Sequence, residues 1–180
     1  LIISLLAVSR LLFCAVLPST SNNAHFEVAK AAIEAGKPFC LEKPVTLTAE
    51  EADILAKAAQ EKGIPNMVCF SYRFKAAARY AKELVEKGML GDIYHVYMQY
   101  LQGGGGPSYD LPRSWRYQKK LTGTGALGDL GCHALDLVSF VTGKNYRKAV
   151  GHTDTYVTQR RLEEGEGYGP VDVDDFCHYL

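Results

Sequence analysis

The sequence predicts an α/β protein in two parts: a parallel sheet covered by helices, then an α+β region whose sheet is mostly antiparallel. Three observations predict it. Helix and strand patterns alternate between residues 24 and 87. At residues 93–102 the pattern becomes a long alternation of the kind a half-exposed antiparallel strand shows. The chain has 180 residues, 47% hydrophobic and 22% charged, which suits a globular protein of one domain or one and a half.

Residues 24–35 place Phe26, Ala29 and Ile33 on one helical stripe, and Gly36 ends the helix. Residues 38–42 read as a short apolar strand that runs into Lys43-Pro44. Thr48 is an N-cap and Glu51, three residues on, completes a capping box; the helix runs to Lys62 and stops at Gly63. Residues 66–72 are a second strand, rich in Met, Val, Cys and Phe, and residues 76–87 a third helix closed by Gly88. This order is the signature of a parallel α/β sheet, with right-handed crossovers placing helices on both faces. Ligands of such sheets bind beyond the carboxyl ends of the strands. Lys43 and Arg73 both fall at predicted strand ends.

After the strand at 93–102, Gly103, Gly104, Gly105, Gly106 and Pro107 break the pattern. A loop to about Gly125 holds the only tryptophan, Trp115. Residues 129–142 read as a helix with Leu130, Ala134, Leu137, Val138 and Val141 apolar, and residues 146–157 and 171–180 as further strands. The expected division is an anomalous apolar segment at 1–19, the parallel sheet at 20–90, and an incomplete α+β domain at 91–180.

Formal net charge is zero, without the basic stripe that phosphate binding needs, so no nucleic-acid partner is expected. Five cysteines, with no C-x-x-C pair, argue against structural zinc; no metal is expected, and free thiols fit a reducing, cytoplasmic setting. Residues 1–17 are almost all apolar but are interrupted by Arg10, and lack the basic start of a signal peptide. A membrane span wants roughly 20 apolar residues without a central charge. No membrane partner is expected, and a truncated or misread upstream stretch, up to about Pro18, fits this segment better.

Two places could carry chemistry. Lys43 lies at a strand end, where Pro44 restricts its backbone, and could donate to a substrate oxygen. An isolated lysine–proline pair is equally a solvated turn. Asp129 and His133, four apart, share a face if helical. A carboxylate orients an imidazole and favours its charged form, the equipment of a general base. The same spacing also describes an N-capping aspartate with an incidental histidine.

Taken in order, Glu42-Lys43-Pro44 after one strand, Ser71-Tyr72-Arg73-Phe74 after the next, Trp115-Arg116, then Gly128 to Asp136 as G-D-L-G-C-H-A-L-D resemble the Gfo/Idh/MocA oxidoreductases, the family of glucose–fructose oxidoreductase and inositol dehydrogenase. The resemblance covers about residues 20–180. It implies a Rossmann domain, partly present, followed by an α+β domain often used for homo-oligomerisation as a dimer or tetramer. It implies hydride transfer between a sugar or polyol hydroxyl and NAD or NADP. Lys43 matches the family's catalytic lysine, His133 the proton acceptor, and Asp129 its companion. Thr20, Asn22 and His25 match a T-P-N-x-x-H stretch, with Ser21 in the proline's place. Asn22, Glu42, Lys43 and Arg73 would lie along the nicotinamide and ribose, with Pro44 preceded by a cis peptide. Trp115 and Arg116 would approach the cofactor. Asp136 reads as a structural helix residue.

The family's G-x-G-x-x-G fingerprint is absent from this sequence, and the glycines at 103–106 sit in the wrong context to replace it. The expectation is that the chain alone is a fragment that grips the cofactor weakly and is inactive by itself. Alternatives are a glycosidase of the same family that uses the nicotinamide transiently, and a non-catalytic binding or assembly module. Tyr109, Arg113, Trp115 and Arg116, in the loop at 103–125, suit a hydroxylated ring; an oligomer contact is the alternative reading of the loop.

Overall fold

The computed structural model describes residues 20–180, so the expectations for residues 1–19, and for Cys14, lie outside the described residues. The chain divides into two compact units. The first holds described residues 20–69 and 118–123; the second holds residues 70–117 and 124–180.

In the first unit, a 3-10 turn at Asn22–Ala24 leads into α1 (His25–Glu34), followed by β1 (Phe39–Leu41), α2 (Ala49–Glu61) and β2 (Asn66–Val68). β1 and β2 pair in parallel, with Phe39, Cys40 and Leu41 opposite Asn66, Met67 and Val68. The core joins the α1 stripe Ala29, Ala32 and Ile33, the strand residues Phe39 and Leu41, and Leu55 and Ala59 of α2. These positions are i, i+3, i+4 on the helices and alternate on β1, the periodicities expected of one-sided burial.

Both helices end by the same local device. Gly36 and Gly63 adopt φ of +65° and +62°, which costs a glycine nothing. The amides of Gly63 and Ile64 then reach back to the carbonyls of Gln60 and Ala59, and those of Gly36 and Lys37 to Ile33 and Ala32. At the start of α2, the Thr48 hydroxyl accepts from the Glu51 amide at 3.2 Å. The Glu51 carboxylate takes the Leu47 amide rather than that of Thr48, one residue beyond the expected capping box. A short helix, α4 (Lys119–Thr122), also belongs to this unit, although the sequence pattern assigned it to a loop.

The second unit opens with a 3-10 turn at Ser71–Phe74 and α3 (Ala76–Glu86), capped by Gly88 as predicted. The strand expected at 66–72 is therefore shorter, and Arg73 stands in the turn beyond it. Residues 93–102, expected as a long strand, form none, and Tyr94 is 92% exposed. Alternation sets which face a strand would bury, but a ladder needs a partner edge, and none pairs with it among the described residues.

After a 3-10 turn at Trp115–Tyr117, the helix expected at 129–142 starts earlier, as a π-helical turn at Leu127–Gly131 that runs into α5 (Cys132–Thr142). Asp129 lies inside that turn and is not the N-cap. Asp174 holds the start of the segment instead: its carboxylate accepts from the amides of Gly125 and Leu127 at 2.7 and 2.6 Å, and its carbonyl from Ala126. A side chain at Gly125 would meet the Asp174 carbonyl oxygen at 1.8 Å, so only glycine fits there.

The rest of the unit is antiparallel, as expected. β3 (Gly151–Asp154) pairs with β6 (Phe176–Tyr179), and β4 (Gln159–Arg161) with β5 (Tyr168–Pro170). The runs at 146–157 and 171–180 thus give shorter strands than predicted, and the β4–β5 hairpin lies between them. Its Arg160, 3% exposed, donates to the carbonyls of Gly105 and Leu111 and lies 4.1 Å from the Tyr117 ring centre. Arg113 adds amide and guanidinium bonds to Arg161 and Pro170. The glycine-rich loop is therefore tied down to this hairpin. Among the described residues, no helix is long and apolar enough to cross a membrane.

Candidate active site

The candidate residues fall into two groups, one in each unit. In the first unit, Lys43 follows the carboxyl end of β1, and the Lys43–Pro44 peptide is cis, as the resemblance implied. The turn is held from beneath by His25. Its ring is fully buried, and Nδ1 donates to the Pro44 carbonyl at 2.7 Å, which fixes the proton on that nitrogen. Asn22 is buried as well, and its amide donates to both the carbonyl and the hydroxyl of Thr122 at 3.0 Å. His25 and Asn22 thus act inside the protein as struts, one under the lysine turn and one tying the chain at Asn22 to α4. Thr122 gave no signal in the sequence, since it lies 100 positions from its partner.

Glu42 and Lys43 are half-buried at the strand end. Behind them, Cys40 and Cys69 bring their sulfurs to 3.2 Å. That hydrogen bond, then burial and the nearby Glu42 charge, push the Cys69 thiol up to about 11. Among the described residues, the buried Thr20 hydroxyl has no hydrogen-bond partner.

In the second unit, His133 sits one residue into α5 and is 7% exposed. The Tyr72 ring stacks on it, centres 4.3 Å apart and planes 18° apart, and the Phe70 ring meets it edge-on at 6.0 Å. Tyr72 was visible in the sequence only as a letter of Ser71-Tyr72-Arg73-Phe74, and its stacking was not foreseen. Asp129 and His133 are brought onto one helical segment, across the junction from the π turn to α5.

Arg73 is engaged by Asp136 of α5, its Nε lying 3.0 and 2.8 Å from the two carboxylate oxygens, with a further bond from the terminal nitrogen. These bonds, opposed by burial, raise the guanidinium's affinity for its proton. The Asp136 side chain is almost fully buried, so the pair clamps the 71–74 turn to α5. Trp115 and Arg116 face one another, guanidinium 4.4 Å from the ring centre.

The first unit thus presents a lysine at the end of a parallel strand, and the second a buried histidine on a helix. Two family descriptions match the chain: "Oxidoreductase family, NAD-binding Rossmann fold" over residues 9–70, and "GFO/IDH/MocA C-terminal domain" over residues 78–180. The chain belongs to the Gfo/Idh/MocA oxidoreductase family. The first match begins at residue 9, inside the segment whose apolar character looked foreign.

Among curated proteins, the chain is 37% identical over 169 residues to levoglucosan dehydrogenase of Pseudarthrobacter phenanthrenivorans, covering 87% of this chain and 43% of that protein. It is 35% identical to the NADP+-linked scyllo-inositol 2-dehydrogenase of Bacillus subtilis, covering 88% of this chain and 42% of that one. The chain thus spans less than half the length of these relatives. Among solved structures, an oxidoreductase domain protein from Kribbella flavida matches with a TM-score of 0.91 at 38% identity, over 98% of this chain and 47% of that one. A levoglucosan dehydrogenase in complex with NADH and levoglucosan matches with 0.81 at 36% identity, over 93% of this chain and 44% of that one.

Proposed function

We propose that this chain is part of a dehydrogenase that moves a hydride between a sugar or polyol hydroxyl and NAD or NADP. The observation that carries the proposal is the buried, ring-stacked His133 on the helix that continues the π turn holding Asp129. Oxidising a secondary alcohol removes a proton and a hydride, and the free alkoxide is far out of reach at neutral pH. His133 takes the proton, and Asp129 orients it. Lys43, presented by the cis turn over His25, donates a hydrogen bond to the oxygen as negative charge develops. When bound, nicotinamide supplies the hydride acceptor. Thr20, Glu42, Lys43 and Pro44 fit the nicotinamide and ribose end, with the Thr20 hydroxyl, which has no hydrogen-bond partner among the described residues, as a candidate to pair with its polar groups. Asn22 and His25 support that surface from within, and Arg73, Trp115 and Arg116 are the second unit's candidates for contact with the cofactor.

Substrates of the levoglucosan and inositol type are the first to try, because the relatives named above act on them. The four free cysteines among the described residues support a reducing compartment, the cytoplasm, and the full protein is taken to work as a dimer or tetramer of identical chains.

The test is substrate-dependent reduction of NAD+ and NADP+ by the full protein, with His133→Asn and Lys43→Ala. Removing a general base should lower kcat about 10²–10⁴-fold. Cofactor that turns over with no net reduction while a glycosidic bond is cut would replace the dehydrogenase with the glycosidase mode. Variants as active as the parent would sink both and leave a binding module.

A further inference from the structure

We infer that Tyr72 is the positioning residue for His133, locking the plane of the imidazole so that its reactive nitrogen holds one direction; this rests on His133 being the proton acceptor proposed above. The rings that contact it belong to the same unit. One face of His133 lies against Tyr72, and the Phe70 edge limits its swing. Tyr72 is itself held. Lys75 places its ammonium 3.8 Å from the Tyr72 ring centre, and two groups so close to one centre, a ring at 4.3 Å and an ammonium at 3.8 Å, must take opposite faces. The Tyr72 hydroxyl meets the Tyr100 hydroxyl at 2.5 Å, and Tyr100 accepts from Gln102 at 3.0 Å. The proton shared with Tyr72, followed by burial, holds Tyr100 above the ordinary phenol range.

With both faces of Tyr72 covered and its hydroxyl engaged, its ring is not available as a stacking platform for a sugar. It is a wall. A stacked ring restrains the torsions that tilt the imidazole and leaves its edge open for chemistry, and a base displaced by about 1 Å can lose about a hundredfold in rate. The hydroxyl of Tyr72 contributes through Tyr100, so ring and hydroxyl can be separated by mutation.

The experiment has two arms. The first is proton NMR of the chain. Ring current from Tyr72 should move the His133 ring protons upfield, and Tyr72→Leu should return them to the positions of an exposed histidine. Tyr72→Phe should keep most of the displacement. Tyr72→Met, of similar bulk but without a ring, repeats the comparison if Tyr72→Leu does not fold. The second arm is turnover of the full protein: Tyr72→Leu should lower kcat about tenfold with KM little changed, and Tyr72→Phe should recover most of it. His133 protons that stay in place in both ringless variants, or a loss confined to KM, overturn the inference. Full turnover by His133→Asn would instead remove the proton-acceptor role, while the NMR arm still decides whether Tyr72 holds the ring.

Discussion

The two units hold their candidate residues by different physics. Lys43 stands on a small apolar core: Leu41, two residues before it, is 1% exposed among the stripes of α1 and α2. His133 stands on a helix secured by polar ties between residues far apart in sequence, Arg73 to Asp136 and Gly125 and Leu127 to Asp174. A lysine needs only a firm strand end to present a flexible ammonium. An imidazole must point, and directional bonds and ring contacts fix direction in a way that apolar burial, which has none, does not.

That contrast can be broken in either unit. The largest effect is expected from Leu41→Ala, which removes the most deeply buried large apolar side chain among the described residues and should cost about 2–5 kcal/mol, read from urea unfolding. Asp174→Ala should cost about 2 kcal/mol, since two short bonds to a charged acceptor are lost together. Its signature should be local: hydrogen exchange should speed up at residues 125–131 and leave β1 and α2 protected. If Leu41→Ala proved the milder of the two, or if Asp174→Ala loosened both units equally, the division into an apolar and a polar support would fail.

The same division governs how much was legible in the sequence. The ends of α1, α2 and α3 were, because Gly36, Gly63 and Gly88 close each helix within a few residues of chain. So was the strand before Lys43, since a short apolar run between a Gly and a Pro has few other uses. The strand expected at 93–102 was not formed among the described residues, because alternation is local whereas pairing is not. The start of the His133 helix was misplaced for a related reason: its cap, Asp174, comes from 47 positions beyond Leu127, and a π turn leaves no mark in residue spacing. Within the candidate site, the motif residues could be named from the sequence, but Tyr72, Tyr100 and Thr122 act through partners that only the fold brings near. Arg73 shows the limit from the other side, a motif residue whose first partner is Asp136.

The smallest effect is a matter of pH and sharpens the contrast inside the first unit. Cys69 is pushed from 9.0 up to about 11, chiefly by its bond to Cys40. Between those values the folded chain keeps a proton that the unfolded chain has released. The contribution is therefore whole below pH 9 and drains away as pH climbs toward about 11. Cys177 in the second unit is also raised, but by burial first and then by the Asp174 charge. Alkaline titration of stability should therefore respond to Cys40→Ala as well as to Cys69→Ser, because either removes the shared bond, and both should flatten the decline above pH 9. The same bond should keep Cys69 slow toward iodoacetamide at pH 8 and make it faster in Cys40→Ala, since the thiolate is the reactive form. Equal alkylation rates in the parent and in Cys40→Ala would mean that burial, not the neighbouring sulfur, holds the proton, and the strand end behind Lys43 would then rest on apolar packing alone.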